Sequence, residues 1–161
     1  MRFSLIDQIT DLKPGESIQT VKSLSIAEEY LQDHFPGFPI MPGVLMVESM
    51  VQTCAWLMRA SEDFRYSTVV LKEARAVKFN NFVSPGKTLT LTASVQKNEG
   101  RFWTLKASGH VGDVNTVSAR LIMEQYNLAD TEPRRAAADE TQVKHLKELF
   151  AVLDRTASPV K

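Results

Sequence analysis

Residues 44–58 read VLMVESMVQTCAWLM, a run in which nearly every side chain is apolar. Strong helix formers dominate this run, and it is too long for an ordinary strand. Pro42 and Gly43 stand directly before it, and proline is favoured where a helix begins. A helix that is apolar nearly all round is a buried helix. The sequence therefore predicts a long central helix that is covered by the rest of the fold.

The segments on either side of this helix carry patterns typical of strands. Residues 3–12 and 16–24 predict two short strands, joined by a turn that contains proline and glycine. After the helix, residues 68–83 predict a third strand. Apolar and polar side chains then alternate over residues 88–123, with two turn signals inside the run, which predicts three more strands and, together with residues 68–83, a four-stranded antiparallel meander. We therefore expect an α+β fold in which one antiparallel sheet wraps around the central helix.

Two further segments are predicted to be helical. Ser25 precedes two acidic residues, which is typical of the N-cap and first turn of a short helix. Residues 129–140 are polar and predict a linker between a unit of residues 1–128 and a C-terminal helical tail, 141–161. An amphipathic helix is indicated there by the spacing of Val143, Leu146, Leu149, Phe150 and Leu153.

The tail helix needs a partner surface, because an isolated helix of this length is marginally stable in water. We expect it to dock on its own or on a neighbouring subunit. A mobile tail is one alternative, and binding to another protein or to a membrane surface is the other.

The composition excludes several classes of protein. The chain has 161 residues, about one domain, and its 19 Lys and Arg balance its 19 Asp and Glu, which argues against a generic nucleic-acid binder. No run of 18 apolar residues occurs, so no membrane span is expected. Asp7 comes too early for a signal peptide, which favours a cytoplasmic protein. The single cysteine, Cys54, excludes an internal disulfide and a cysteine-based zinc cluster, and it is expected to be a small buried hydrophobe.

Glu48 is the only charged residue between His34 and Arg59. A carboxylate inside an apolar helix is costly to ionise, so burial is expected to raise the pKa of Glu48 and allow it to act as a general acid. Gln52 follows one turn later on the same face and could hold the Glu48 side chain. The alternative is a structural carboxylate that a backbone group or a distant cation satisfies.

His34 and Gly43 flank a loop that contains three prolines. Such a loop can fix an imidazole against a cleft wall, and histidine is suited to proton abstraction near neutral pH. The Gly43 N–H, at the start of the helix, could stabilise an oxyanion. A histidine before such a loop is more often structural or exposed. Together, however, a base, an oxyanion donor and an acid within one short segment indicate a catalytic site.

The segment HFPGFPIMPGVLMVE, residues 34–48, followed by Gln52, closely resembles the signature of the 3-hydroxyacyl-[acyl-carrier-protein] dehydratases of type II fatty acid synthesis. The resemblance covers residues 3–127. It implies a hotdog fold, with His34 as catalytic histidine and Glu48 as catalytic carboxylate. It also implies that the Gly43 N–H polarises the thioester carbonyl, and that no metal or dissociable cofactor is used.

The resemblance also implies partners. The substrate would arrive on the phosphopantetheine arm of acyl carrier protein. The family forms homodimers whose sites combine His from one subunit with Glu from the other, and these are often assembled as trimers of dimers. A chain of this fold leaves one sheet edge and part of the helix start open, which likewise predicts at least a dimer.

An apolar tunnel beside the central helix is expected to hold the acyl chain, lined by some of Met41, Met46, Met50 and Phe79, although methionines there are more often core filling. The predicted substrate-binding residues are Phe35, Met41, Pro42, Gln52 and Phe79.

The sequence departs from the family at two places. Asn80, Asn81 and Phe82 stand where basic residues often precede the Val-x-Pro-Gly turn. This leaves the carrier-docking surface open, with Arg75 and Lys78 nearby. The tail has no counterpart in the family.

The reaction expected from the resemblance is dehydration of a 3-hydroxyacyl thioester to the trans-2-enoyl thioester. His34 would remove a C2 proton, and Glu48 would protonate the departing 3-hydroxyl. One alternative is an inactive hotdog subunit that binds acyl carrier protein. Another is a dehydratase/isomerase, a branch that usually has Asp at the position of Glu48. The third is a hotdog thioesterase, which also uses a carboxylate on this helix.

Overall fold

The structure is a computed structural model and describes residues 3–156. It contains one six-stranded antiparallel sheet and two α-helices. In chain order the elements are β1 (Gln8–Lys13), β2 (Ser17–Ser23), α1 (Gly43–Ser61), β3 (Thr68–Phe79), β4 (Thr88–Glu99), β5 (Phe102–Val111), β6 (Val114–Tyr126) and α2 (Ala136–Leu153). The strands lie in the order β1-β2-β4-β5-β6-β3. The predicted α+β architecture, a sheet wrapped around a long helix, is confirmed.

Strand β3 lies beside β6, and the meander consists of β4, β5 and β6 alone. A four-stranded meander that starts with β3 is therefore wrong. The reason is that β2 pairs with β4 over its whole length, Ser17–Ser23, which leaves only the free side of β6 for β3. β3 also ends at Phe79, four residues before the predicted end, because the backbone N–H groups of Asn80 and Asn81 turn to the Thr116 carbonyl.

Two predicted elements near the N-terminus are shorter than expected. β1 begins at Gln8, since Leu5 and Ile6 are buried in the core and the Leu5 N–H donates to Gln52 Oε1 at 2.9 Å. The helix predicted after Ser25 is reduced to one 3₁₀ turn, Glu29–Leu31. Ser25 Oγ accepts a hydrogen bond from the Ala27 N–H at 3.1 Å, so this side chain caps a turn and not an α-helix.

The core lies between α1 and the concave face of the sheet. Met50, Cys54 and Leu57 of α1 are fully buried, together with Leu91 and Leu121 of the sheet. Burial raises the pKa of the Cys54 thiol to about 12, which keeps it unreactive, as expected for a buried hydrophobe. The first turn of α1 is more open. None of the helices in residues 3–156 is both long and apolar enough to cross a membrane.

Helix α2 begins at Ala136, five residues before the predicted start, because an alanine-rich segment favours helix. The predicted linker is therefore shorter, and two 3₁₀ turns occupy most of it. Asp139 fixes the start of α2. Its carboxylate accepts hydrogen bonds from the Ser67 hydroxyl and from the N–H groups of Leu128 (3.0 Å) and Ala129 (2.9 Å). These bonds, that from Ser67 above all, lower the pKa of Asp139. Residues 157–161 of the predicted tail lie outside the described residues.

Helix α2 docks on its own chain, which is one of the two expected arrangements. The Phe150 ring lies 6.0 Å from Trp56 and 5.3 Å from Phe64, measured between ring centroids. Just after α2, the Arg155 N–H donates to the Ile9 carbonyl at 3.1 Å. The tail thus covers the end of α1 and joins the first strand.

We predict that Leu153→Ala lowers the free energy of unfolding by about 2 kcal/mol, because it removes a buried side chain and leaves a cavity. Leu153 is 6% exposed, whereas the neighbouring Val152 is 61% exposed. Val152→Ala is therefore the matched control and should change stability by less than about 0.5 kcal/mol. Chemical denaturation of both variants measures the difference. Equal effects would contradict the docking of α2.

Candidate active site

The proline-rich loop before α1 holds His34 by two hydrogen bonds to one residue. The Ile40 N–H donates to the His34 carbonyl at 3.0 Å, and His34 Nδ1 lies 3.0 Å from the Ile40 carbonyl oxygen. Because a carbonyl only accepts, Nδ1 carries the proton of the neutral ring. Nε2 is then the basic nitrogen. The Phe35 ring stacks on the imidazole with 4.1 Å between centroids.

A cavity of about 380 Å³ opens beside His34. It lies between the proline-rich loop, the first turns of α1 and the segment that follows β3. The structure thus brings His34 and Gly43 together, as expected for a base and an oxyanion donor. The other lining residues are Phe35, Ile40, Met41, Met46, Phe79, Asn80, Asn81 and Phe82.

The predicted substrate-binding residues divide into two groups. Phe35, Met41 and Phe79 line the cavity, as does Met46. The other residues do not line it: Pro42 is the N-cap of α1, Gln52 lies further along the helix, and Met50 is fully buried in the core.

Gly43 is the first residue of α1, and its N–H has no acceptor within the helix. The N–H groups of Leu45 and Met46 both turn to the Pro42 carbonyl. A Cβ at position 43 would lie 2.9 Å from the Phe79 ring, closer than a side chain can approach. A larger residue at position 43 would have to displace this exposed ring, which forms one wall of the cavity, and the Gly43 N–H is available to an anion at the helix start.

Glu48 does not line this cavity. Its Oε1 accepts a hydrogen bond from Gln52 Nε2 at 3.0 Å, as the spacing suggested. The same Nε2 also donates to the Phe3 carbonyl at 3.1 Å, so the N-terminal segment and Gln52 together hold the carboxylate. The expected burial of Glu48 is wrong for the single chain, where this residue is half-buried, because Glu48 lies on the part of α1 that the sheet does not enclose. Within one chain, therefore, the proposed acid Glu48 and the proposed base His34 do not line the same cavity.

A row of basic side chains crosses the outer face of the sheet near the cavity. Lys106 on β5 is paired with Arg120 on β6, and Arg120 is paired with Arg75 on β3. Arg75 is held by Glu73 at 2.7 Å, but Lys106, Arg120 and the nearby Lys78 have no ion-pair partner among residues 3–156. We call Lys106, Arg120 and Lys78 the basic row. Like charges on opposed residues destabilise a sheet, so this row has a cost in stability.

Comparison with known proteins gives the family. The model of the FabA-like domain matches residues 1–120. A 3-hydroxyacyl-[acyl-carrier-protein] dehydratase FabZ from Levilactobacillus brevis is 40% identical over 116 residues, which is 72% of this chain and 78% of the relative. The corresponding protein of Campylobacter hominis is 37% identical over 122 residues, 74% of this chain and 84% of the relative.

A solved structure supports the fold. The dehydratase heterocomplex ApeI:P from Xenorhabdus doucetiae has a chain that matches with a TM-score of 0.66 and 17% identity, over 78% of this chain and 85% of that chain. The predicted hotdog fold is confirmed. Helix α2 begins after residue 120 and is therefore outside the part of the chain that the family model matches.

Proposed function

Because the chain belongs to the FabA-like family and is a relative of the FabZ dehydratases, we propose that it dehydrates 3-hydroxyacyl-[acyl-carrier-protein] to trans-2-enoyl-[acyl-carrier-protein] in fatty acid biosynthesis. The observation that carries this proposal is the cavity in which the His34 ring and Gly43 meet. The reaction breaks the C2–H and C3–O bonds, forms the C2=C3 double bond and releases water.

His34 is the proposed general base. Its Nδ1–H is held by the Ile40 carbonyl, so Nε2 can accept the C2 proton of the substrate. Removal of this proton develops negative charge on the thioester oxygen. The Gly43 N–H is placed to stabilise that charge, and one such donor contributes on the order of 10²–10³-fold in rate.

Glu48 is the proposed general acid, which protonates the departing 3-hydroxyl group so that it leaves as water. Since Glu48 of the same chain does not reach the His34 cavity, we propose a homodimer in which each site combines His34 of one subunit with Glu48 of the other. The half-exposed carboxylate supports this arrangement. Exposed apolar side chains mark such interfaces, and they include Phe35 and Phe82 at the cavity and Val44 on the first turn of α1.

The sheet offers a surface for this dimer. β3 is an edge strand of 12 residues, paired only with β6 in the described chain. A long exposed edge presents unpaired N–H and carbonyl groups, and a symmetric partner would satisfy them. Larger assembly as a trimer of dimers and a cytoplasmic location remain predictions.

The basic row is the proposed docking surface for acyl carrier protein. It stands in for the basic residues that Asn80, Asn81 and Phe82 replace, and Lys78 directly precedes Phe79 at the cavity. Exposed cations without counter-ions attract the phosphodiester of the phosphopantetheine arm and acidic side chains of a carrier. They would therefore guide the arm toward the cavity.

An assay of the purified protein with 3-hydroxyacyl carrier protein tests the function. We expect formation of the trans-2-enoyl thioester. Mass spectrometry of the carrier and ultraviolet absorbance measure this product. Release of the free carrier thiol would indicate a thioesterase, and a cis-3-enoyl product would indicate the isomerising branch. Absence of turnover would support the inactive subunit.

The same assay tests the docking surface. Arg120→Glu is expected to raise the KM for the carrier-bound substrate about tenfold and to leave kcat unchanged, because it removes attraction before the chemical step. A pantetheine-bound substrate without the carrier should be turned over equally by the wild type and the variant. Lys144→Glu reverses an exposed charge on α2 and is the control. Equal KM values for both variants would contradict docking at the basic row.

A further inference from the structure

A second cleft, which we call the α1–α2 cleft, lies between the two helices and has a volume of about 350 Å³. Within the described part of the chain it shares no lining residue with the cavity around His34. One wall belongs to α2, which lies outside the matched family domain. Its lining residues include Phe3, Gln52, Trp56, Arg59, Leu146 and Leu149.

Arg59 is the unusual residue of this cleft. Its guanidinium carbon lies 5.2 Å from the centroid of the Trp56 ring. Its Nε is buried and has no hydrogen-bond acceptor within residues 3–156. No Asp or Glu of that part of the chain lies within ion-pair distance of Arg59. Burial lowers the pKa of this guanidinium to about 10, which still leaves it charged at neutral pH.

An unpaired, partly buried guanidinium lowers the stability of the protein when no ligand is bound. A buried donor without an acceptor loses its hydration without compensation, and a partly buried cation without a counter-ion loses more. Among the described residues, the lining of the α1–α2 cleft contains no acidic side chain that could offset this loss. Beside Arg59 it offers polar side chains, such as Gln142 and His145, and a set of apolar side chains. The cleft therefore favours a ligand with an anionic group that pairs with Arg59 and an apolar part that contacts the apolar side chains.

We propose that the α1–α2 cleft binds a carboxylate that carries a short apolar chain, such as a medium-chain fatty acid. The carboxylate would pair with Arg59, whose planar guanidinium matches a carboxylate with two parallel hydrogen bonds. The chain would lie against Trp56, Leu146 and Leu149. The volume of the cleft is at the lower end of the range for ligand sites, which fits a short chain and not a long one.

Isothermal titration of the full chain with octanoate tests this proposal. Octanoate is expected to bind, and octanol, which has the same chain without the charge, is expected to bind at least tenfold more weakly. Arg59→Met keeps the apolar stem but removes the charge, so it should reduce octanoate affinity about tenfold or more. Arg65→Met is the matched control, because Arg65 also lies over an aromatic ring, Tyr66, at 5.3 Å, but is exposed and outside the cleft.

A second variant keeps the test valid if Arg59→Met disturbs folding. Leu149→Trp would fill the cleft while Arg59 stays in place, and it should also abolish octanoate binding. Equal binding by the wild type and both variants would overturn the proposal, as would equal affinity for octanoate and octanol. A weaker dimer in Arg59→Met, measured by sedimentation, would show that a partner subunit supplies the counter-ion and would overturn it as well. No arm measures dehydration, so failure here leaves the proposed function untouched.

Discussion

The variants His34→Ala and Glu48→Gln are each expected to lose about 10²–10⁴-fold in turnover of the 3-hydroxyacyl substrate, because each removes one of two separate proton transfers. Alanine cannot accept the C2 proton. Glutamine keeps the size of the Glu48 side chain and can still bond to Gln52, but it cannot deliver a proton to the leaving hydroxyl. Steady-state formation of the enoyl thioester measures both losses.

Two matched substitutions serve as controls for these variants. His110→Ala changes a histidine of β5 that bonds to Asn115, and Glu62→Gln changes the carboxylate at the end of α1. Neither residue lines the cavity around His34, so both control variants should keep wild-type turnover. All four variants should melt close to the wild-type temperature. Near wild-type turnover of His34→Ala or Glu48→Gln would refute the role assigned to that residue.

Heterodimers of the two inactive variants should regain activity. If His34 of one subunit works with Glu48 of the other, a dimer of one His34→Ala chain and one Glu48→Gln chain contains one site with both residues intact. The second site then lacks both. We therefore expect about half of the wild-type turnover per heterodimer, since a two-fold dimer has two equivalent sites.

Co-expression of the two variants with different affinity tags and purification through both tags isolates these heterodimers. The control is the same purification with His34→Ala carried by both tagged chains, which should stay inactive. If each site were built within one chain, each subunit of the heterodimer would lack one catalytic group. A heterodimer as inactive as the control would therefore rule out the shared site.

Local patterns in the sequence were sufficient for the main elements. The apolar run before Met58 predicts α1, and the alternation after Thr88 predicts the strands around it, because both depend on side chains a few residues apart. The place of β3 beside β6 could not be read in this way, because it depends on the pairing of β2 with β4, two strands that are distant in sequence. That pairing leaves only the free side of β6 for β3. Likewise, nothing local distinguishes the one 3₁₀ turn after Ser25 from a short helix.

The same difference between local patterns and contacts distant in sequence applies to the candidate site. His34 and Gly43 come together because one short, stiff loop connects them, and the spacing of Glu48 and Gln52 predicts their hydrogen bond. The burial expected for Glu48 failed, because burial of a helix face depends on elements distant in sequence. Asp139 was missed for a similar reason, since its partner Ser67 lies 72 positions away.

Lys106, Arg120 and Arg59 were also missed. Lys106 and Arg120 belong to strands whose register decides whether they meet, although their place on the polar side of each strand was a usable signal. Arg59 stands at the end of an apolar run, where a basic residue is ordinary. What sets Arg59 apart is its buried Nε without an acceptor. This burial depends on α2, a helix far away in sequence that packs beside it.

The docking of α2 on Trp56 and Phe64 also has a consequence for biosynthesis. Both aromatic side chains are translated long before the helix that covers them. At the usual rate of protein synthesis, translation of α2 alone takes on the order of 1–4 s. During that interval α2 is not yet available to cover the aromatic surface. The ribosome-bound intermediate is therefore a natural client for chaperones that bind exposed apolar surfaces, and the last helix ends that exposure.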